Sequence, residues 1–357
     1  MMASRPRIWG GALLLGTGLA AACSPVQLDA ILLGNGSSGS SGTISASGAS
    51  TSGTTPSPSG ASGGDAAGSG ASGSSGSVTL TSEKRGLAYG YNSPADLRAL
   101  TVESRGASGT GGIWWWLNWT AFPDSSLGPN ASSTAASLGV EYVPMVYNLA
   151  SIDPTTLAKQ IPSDARYLLT FNDANFTSEA NVDPFAAAKA WPQIEAFANT
   201  YNPPLKLVSP TVDYCTTGCV PNYSDPFVWL RDFMNACSTC RVDYIGVRTH
   251  ACDSMSLEME IAQYETYGQP VWITELWCDQ SSQPDAGSEQ YYMTAAIPSL
   301  DMDPRVFRYG WYTGRPRPAA DGTVGSDTYD LLGPDAGQLT ALGACYLQGT
   351  CGDAGSP

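Results

Sequence analysis

Eight short apolar runs recur along the chain at spacings that leave room for a helix between each pair. They are Gly86–Tyr89, Ile113–Asn118, Tyr142–Tyr147, Tyr167–Asn172, Lys206–Pro210, Tyr244–Arg248, Val271–Glu275 and Val306–Trp311. Continuous apolar runs, rather than alternating ones, are what strands need when helices cover both faces of a parallel sheet. Helical stretches fall between them, such as Asp183–Thr200, Pro226–Cys237 and Met255–Tyr267. Asp183-Pro184 supplies an N-cap followed by a proline in the first turn. Eight strand–helix units over residues 81–353 predict an α/β fold, a (β/α)8 TIM barrel. Such a barrel carries its site at the C-terminal ends of the strands. The fourth and seventh runs end in Asn172-Asp173 and Thr274-Glu275.

Composition removes several chemistries. The chain has 357 residues, 17 basic and 32 acidic, for a net charge of −15. Nucleic-acid binders carry a basic footprint, so a nucleic-acid partner is excluded. There is one histidine, His250, so a multi-histidine zinc site is impossible and any histidine-based nucleophile activation would have to use it. No Asp-x-Asp-x-Asp-Gly calcium spacing occurs, and neither metal nor cofactor is implied. Two carboxylates on one rim point to glycoside hydrolysis. One, kept protonated, donates to the leaving oxygen, while the other attacks the anomeric carbon or activates water. Sugars also need flat apolar platforms, and Trp116, Trp119, Trp277 and Trp311 lie at or beside strand ends. Some tryptophans must be core residues, because Trp114 and Trp116 share one strand face and Trp115 the other.

The start of the chain reads as an address. Arg5 and Arg7 precede an apolar run from Ile8 to Ala22, followed by small residues, which is the order of a secretory signal over residues 1–22. Ala20-Ala21-Ala22-Cys23 resembles a bacterial lipoprotein box, with Cys23 as the lipidated residue and plain cleavage after Ala22 as the alternative. Residues 23–80 form a linker in which 29 of the 44 residues from Gly34 to Ser77 are Gly or Ser. Such a segment cannot offset its ordering entropy and behaves as a disordered coil reaching about 35–40 Å. An exported protein results, either a cell-envelope lipoprotein or a released one, with any membrane contact made only through the lipid. Nothing in the chain demands more than a monomer.

Cysteine usage agrees with export. Of nine cysteines, removing Cys23 leaves eight, an even set that reads as disulfides outside the cytoplasm. The simplest pairing is Cys215–Cys219, Cys237–Cys240 and Cys345–Cys351, leaving Cys252–Cys278 to bridge two loops. Eight cysteines allow 105 connectivities, so the arithmetic alone does not select one.

Several motifs, in order, resemble glycoside hydrolase family 128, the alkali-sensitive-linkage-type glycosyl hydrolase domain of the retaining (β/α)8 clan. They are Lys84-Arg85-Gly86-Leu87-Ala88-Tyr89, Trp116-Leu117-Asn118-Trp119, Tyr142-Val143-Pro144-Met145 and Leu168-Leu169-Thr170-Phe171-Asn172. Ser178-Glu179-Ala180-Asn181, Ala190-Trp191-Pro192 and Leu207-Val208-Ser209-Pro210 follow. Val242-Asp243-Tyr244-Ile245, Val271-Trp272-Ile273-Thr274-Glu275, Arg308-Tyr309-Gly310-Trp311 and Leu339-Thr340-Ala341-Leu342-Gly343 complete the series, which spans Lys84 to Tyr346. The resemblance implies an endo-β-1,3-glucanase whose partner is a β-glucan. It implies Glu275 as nucleophile, Asp173 as acid/base, Asn172 as partner of the sugar 2-hydroxyl and Trp311 as a sugar platform. Trp116, Asn118, Trp119, Tyr147, Trp277, Arg248 and His250 complete the expected substrate-binding set.

Two positions depart from the family pattern. The acid/base Glu-Pro is Asp173-Ala174 here, and the Val-His-Trp-Tyr after the sixth strand is Val247-Arg248-Thr249-His250. Asp is shorter than Glu by one C–C bond, about 1.5 Å. Arg248 beside a carboxylate would depress its pKa, which suits a nucleophile and opposes a general acid. Glu179 is a substitute acid placed farther out. Two further readings stand beside the glucanase: a catalytically weak or inactive barrel that binds β-glucan at the cell surface, and a barrel with inverting or transglycosylating chemistry. Asp173→Glu is expected to raise turnover in the enzyme reading.

Overall fold

The computed structural model describes residues 83–89, 93–105, 111–123, 136–278, 286–316, 327–348 and 351. The expected signal, Cys23 and the linker lie outside these residues.

The strands are β1 (Arg85–Ala88), β2 (Trp115–Leu117), β3 (Glu141–Tyr142), β4 (Met145–Val146), β5 (Tyr167–Thr170), β6 (Lys206–Pro210), β7 (Ile245–Thr249), β8 (Val271–Leu276) and β9 (Val306–Tyr312). All pairings between them are parallel. One sheet runs β3-β2-β1-β9-β8-β7 and the other β4-β5-β6. The parallel bridge Val208↔Tyr244 joins β6 to β7, and the chain itself joins β3 to β4. The circle therefore closes as a (β/α)8 barrel. The third run, expected as one strand, is split because Pro144 has no N–H to give the ladder. Val143 N–H still donates to Trp116 and the Pro144 carbonyl accepts from Leu169, so the run changes sheet at the proline.

The helices α1 (Pro94–Arg98), α2 (Pro154–Gln160), α3 (Pro184–Ala198), α4 (Pro226–Ala236), α5 (Ser254–Tyr264), α6 (Ala286–Met302) and α7 (Ala341–Gln348) surround it. The first four open with a polar cap and a proline: Ser93, Asp153, Asp183 and Asp225 each accept from the first-turn N–H groups. Each such cap stabilises its helix by about 1 kcal/mol.

Two apolar cores result. The inner one fills the barrel with Ala88, Trp115, Leu117, Val143, Met145, Leu169, Val208 and Trp272. Trp115 lies edge-on to Trp272, with ring centroids 5.1 Å apart. A Cβ at Gly86 would stand 2.1 Å from the Trp115 ring, so only glycine fits on β1 there. Arg308 closes the floor, its guanidinium within 5.9 Å of the rings of Trp115, Tyr167, Trp272 and Phe307 and ion-paired to Glu141 at 2.8 Å. The outer core lies between strands and helices and includes Trp116, Trp191, Trp229, Tyr309 and Trp311. The disulfides pair Cys215 with Cys219, Cys237 with Cys240, Cys252 with Cys278 and Cys345 with Cys351, the simplest of the pairings that the cysteine arithmetic allows.

Candidate active site

Local irregularity brings the two carboxylates to one rim. Along β8, Trp272 points inward, so strict alternation would turn Glu275 outward with Ile273. The register of β8 against β9 shifts between Ile273 and Leu276, and against β7 between Val247 and Arg248. Leu276 consequently packs in the outer core while Glu275 reaches the site. Such bulges commonly re-aim side chains beside active sites. After β5, Phe171 and Asp173 adopt left-handed backbone with φ of 37° and 44°. Left-handed backbone costs about 1–3 kcal/mol at a non-glycine residue. It is held by the Asp173 N–H donating to Thr211 Oγ1 (3.0 Å) and the Ala174 N–H to the Thr211 carbonyl (2.8 Å).

Both acids are shielded, Asp173 being 1% and Glu275 4% exposed. Trp119 Nε1–H donates to Glu275 Oε1 at 2.8 Å. Arg248 stands among three carboxylates: Nη1 bonds Asp173 Oδ2 directly, and Nε lies 3.9 Å from Asp213 Oδ2 and 4.0 Å from Glu275 Oε2. His250 Nε2 is 2.9 Å from Asp213 Oδ2. Burial pushes the Asp173 carboxyl up to about 8; Arg248 opposes that rise, and the charges of Glu275, Asp213 and Glu179 add to it. The Arg248 guanidinium is desolvated too, yet the surrounding carboxylates hold its pKa above the ordinary arginine value. Asn172 Nδ2 donates to Asp173 Oδ2 at 3.3 Å, leaving its Oδ1 without a partner.

The walls are aromatic. Arg248 sits over the Trp277 ring at 5.0 Å, the His250 ring meets Trp277 at 3.9 Å, and Trp277 leans on Tyr312 at 4.5 Å. The Cys252–Cys278 bond ties the chain after His250 to the chain after Trp277. Across the rim, Tyr147 donates its hydroxyl to Glu179; burial and that acceptor raise the phenol's pKa. A cavity of about 470 Å³ opens beside them, lined by Trp119, Phe122, Met145, Tyr147 and Leu157 among others. Another, of about 350 Å³, lies around Glu141, Arg166 and Arg308, away from the carboxylates.

Three expected sugar contacts are corrected. Trp116 and Trp311 have no exposed surface and pack in the outer core, where Trp311 Nε1–H donates to the Tyr329 carbonyl (2.9 Å). Their strand parity turns them toward the helices, and Tyr312, one residue on, faces the cleft instead. Asn118 is spent on its own turn: its amide donates to the Phe122 carbonyl (3.0 Å) and its Oδ1 accepts from Tyr142 (2.8 Å). Glu275, Asp173, Asn172, Trp119, Trp277, Arg248, His250 and Tyr147 do lie on one rim. Asp213 was missed, although it repeats the pattern of an acid just past a strand end.

Two carboxylates, one bonded to an indole N–H and one buried against a cation, can divide nucleophilic and acid/base work between them. Residues 86–346 match the family described as the glycosyl hydrolase catalytic core. Among solved structures, the chain is similar to a GH128 (subgroup II) endo-β-1,3-glucanase from Sorangium cellulosum, at 35% identity and a TM-score of 0.62, covering 77% of this chain and 98% of that one. It is also similar to the subgroup II endo-β-1,3-glucanase from Pseudomonas viridiflava, at 32% identity and a TM-score of 0.61, covering 74% and 97%. Alkali-sensitive linkage protein 1 of Schizosaccharomyces pombe is 27% identical over 240 residues, 66% of this chain; the match spans only 40% of that longer protein. With a family match over most of the barrel and a third of its residues shared with solved members, the chain belongs to glycoside hydrolase family 128.

Proposed function

We propose that this glycoside hydrolase is a retaining endo-β-1,3-glucanase. The observation that carries the reading is the Trp119–Glu275 hydrogen bond, which fixes one carboxylate on the same aromatic-walled rim as the buried Asp173. The two subgroup II relatives, named as endo-β-1,3-glucanases, support the substrate class.

Glu275 is the nucleophile. The indole N–H of Trp119 fixes one oxygen and leaves the other to attack the anomeric carbon. Asp173 is the acid/base: burial keeps its proton available near neutral pH. It gives that proton to the leaving oxygen and then takes one from the water that cleaves the glycosyl ester. Asn172 lies beside Asp173 and binds the 2-hydroxyl of the reacting sugar. Trp119, Trp277 and Tyr312 supply ring faces for the glucan. The enzyme acts outside the cytoplasm, with Cys23 as a lipid anchor and residues 23–80 as a tether that holds the barrel clear of the envelope.

A second reading, a β-glucan-binding barrel with little turnover, is favoured by one observation, the direct contact of Arg248 with Asp173, which opposes protonation of the acid. The test is incubation of the purified protein, disulfides formed, with laminarin and β-1,3-gluco-oligosaccharides, following reducing ends and bound sugar together. Turnover that disappears in Glu275→Gln, with retained anomeric configuration by NMR, is the expected result. Binding without cleavage in both proteins would replace the enzyme reading with the second one.

A further inference from the structure

The reaction above uses Glu275 and Asp173 and leaves Arg248 without a role. Its guanidinium bonds Asp173, lies within 4.0 Å of Glu275, and is braced by the Trp277 ring. Its Nε is buried with no hydrogen-bond partner, and so is Asp173 Oδ1. Of the three carboxylates around the cation, it bonds only one. The short acid and the long cation also complement one another: the guanidinium occupies space toward which a carboxyl longer by about 1.5 Å would extend.

We propose that Asp173 and Arg248 form one functional unit, in which Arg248 is a positioning residue that holds the short carboxyl in place and stabilises the negative charge Asp173 gains during the reaction. The inference rests on the reading of Glu275 as nucleophile. In the first step a Glu275 oxygen bonds the anomeric carbon, the glycosidic C–O bond breaks, and the Asp173 proton passes to the leaving oxygen. Glu275 loses a negative charge and Asp173 gains one, so the charge facing the guanidinium is conserved and moves to the oxygen already bonded to it. In the second step Asp173 takes a proton from water, the water oxygen bonds the anomeric carbon, and the ester electron pair returns to Glu275. The charge moves back.

Two experiments test this. In a double-mutant cycle, Asp173→Glu alone drives the longer acid against the guanidinium and lowers kcat, reversing the gain expected from sequence. Arg248→Gln alone leaves the short acid unheld and lowers kcat by about 100-fold, as for a misplacement near 1 Å. The double variant moves length from cation to acid, and its kcat should exceed the product of the single effects by at least about tenfold. Thermal unfolding checks that every variant is folded. The second experiment follows the Asp173 carboxyl by NMR in protein labelled at aspartate Cγ, with Asp173→Asn assigning the signal. The other titratable or charged groups facing Asp173 are Glu275, Asp213, Glu179 and Tyr147, with His250 on Asp213. None changes in Arg248→Gln, so loss of the cation should move the titration to higher pH, while Arg248→Lys should leave it near the parent value. This reading needs no turnover and stands even if β-1,3-glucan proves not to be the substrate. Additive kcat effects in an active enzyme, or an Asp173 titration unmoved in Arg248→Gln, would overturn the proposal.

Discussion

A carboxylate that attacks carbon has to be held still without being neutralised. In the proposed reaction Trp119 does this for Glu275, because an indole N–H donates to an oxygen but brings no net charge. A hydrogen bond to a charged group is worth about 1.5–3 kcal/mol, so Trp119→Phe should lower kcat by roughly 10- to 100-fold while the melting temperature changes little. Steady-state kinetics on laminari-oligosaccharides, with a melting curve alongside, would check it. Asp173 makes a pH prediction. A general acid works protonated, and in the proposed role burial pushes the Asp173 carboxyl up to about 8. Activity should therefore persist to near pH 8 and fall roughly tenfold per pH unit above it, read from the kcat/KM profile. At this scale the sequence was partly legible. Glu275 and Asp173 stood at strand ends, where barrel chemistry is carried. Trp311 misled, because its neighbour Arg308 points into the barrel and fixes the parity that sends Trp311 outward. The Asp213–Arg248–His250 cluster was not legible as a cluster, since Asp213 follows β6 while Arg248 and His250 stand at the end of β7, and the two strand ends meet only in the folded barrel.

The strands themselves were written clearly in the chain, because a strand covered on both faces has nowhere to place polar residues. What could not be read was where the ladders would fail. Pro144 was visible, but its splitting of one run between two sheets depends on which neighbour needed the missing N–H. The bulges at Val247/Arg248 and Ile273/Leu276 have no signature in residue type, yet they decide which side chains reach the cleft. Glycine at position 86 is a further element-scale constraint. Gly86→Ala puts a methyl inside the Trp115 ring and should abolish soluble expression, whereas combining it with Trp115→Leu should restore a folded but weakened barrel. Circular dichroism and urea unfolding of both variants would show it. The double variant should be less stable than the parent, because leucine and one methyl fill less of the space that the Trp115 ring occupies.

At the scale of the molecule, the barrel is closed by strand pairing and its cleft by covalent bonds. Cys252–Cys278 spans 26 residues and encloses the whole of α5 and of β8. Chain-entropy arguments give such a loop about 3.5 kcal/mol of stabilisation. Removing it with Cys252→Ser/Cys278→Ser should lower stability by about that much, read from urea unfolding. It should also raise KM, because His250 and Trp277 would no longer be held against each other.

That bond makes the cleft a product of place as well as of sequence. In a reducing medium the chain could bring Glu275 and Asp173 together by strand pairing alone and still lack a secured wall beside them. Oxidation then supplies the last part. Reduced, such a barrel would keep its two carboxylates in place and lose its hold on the wall; oxidised, it has both.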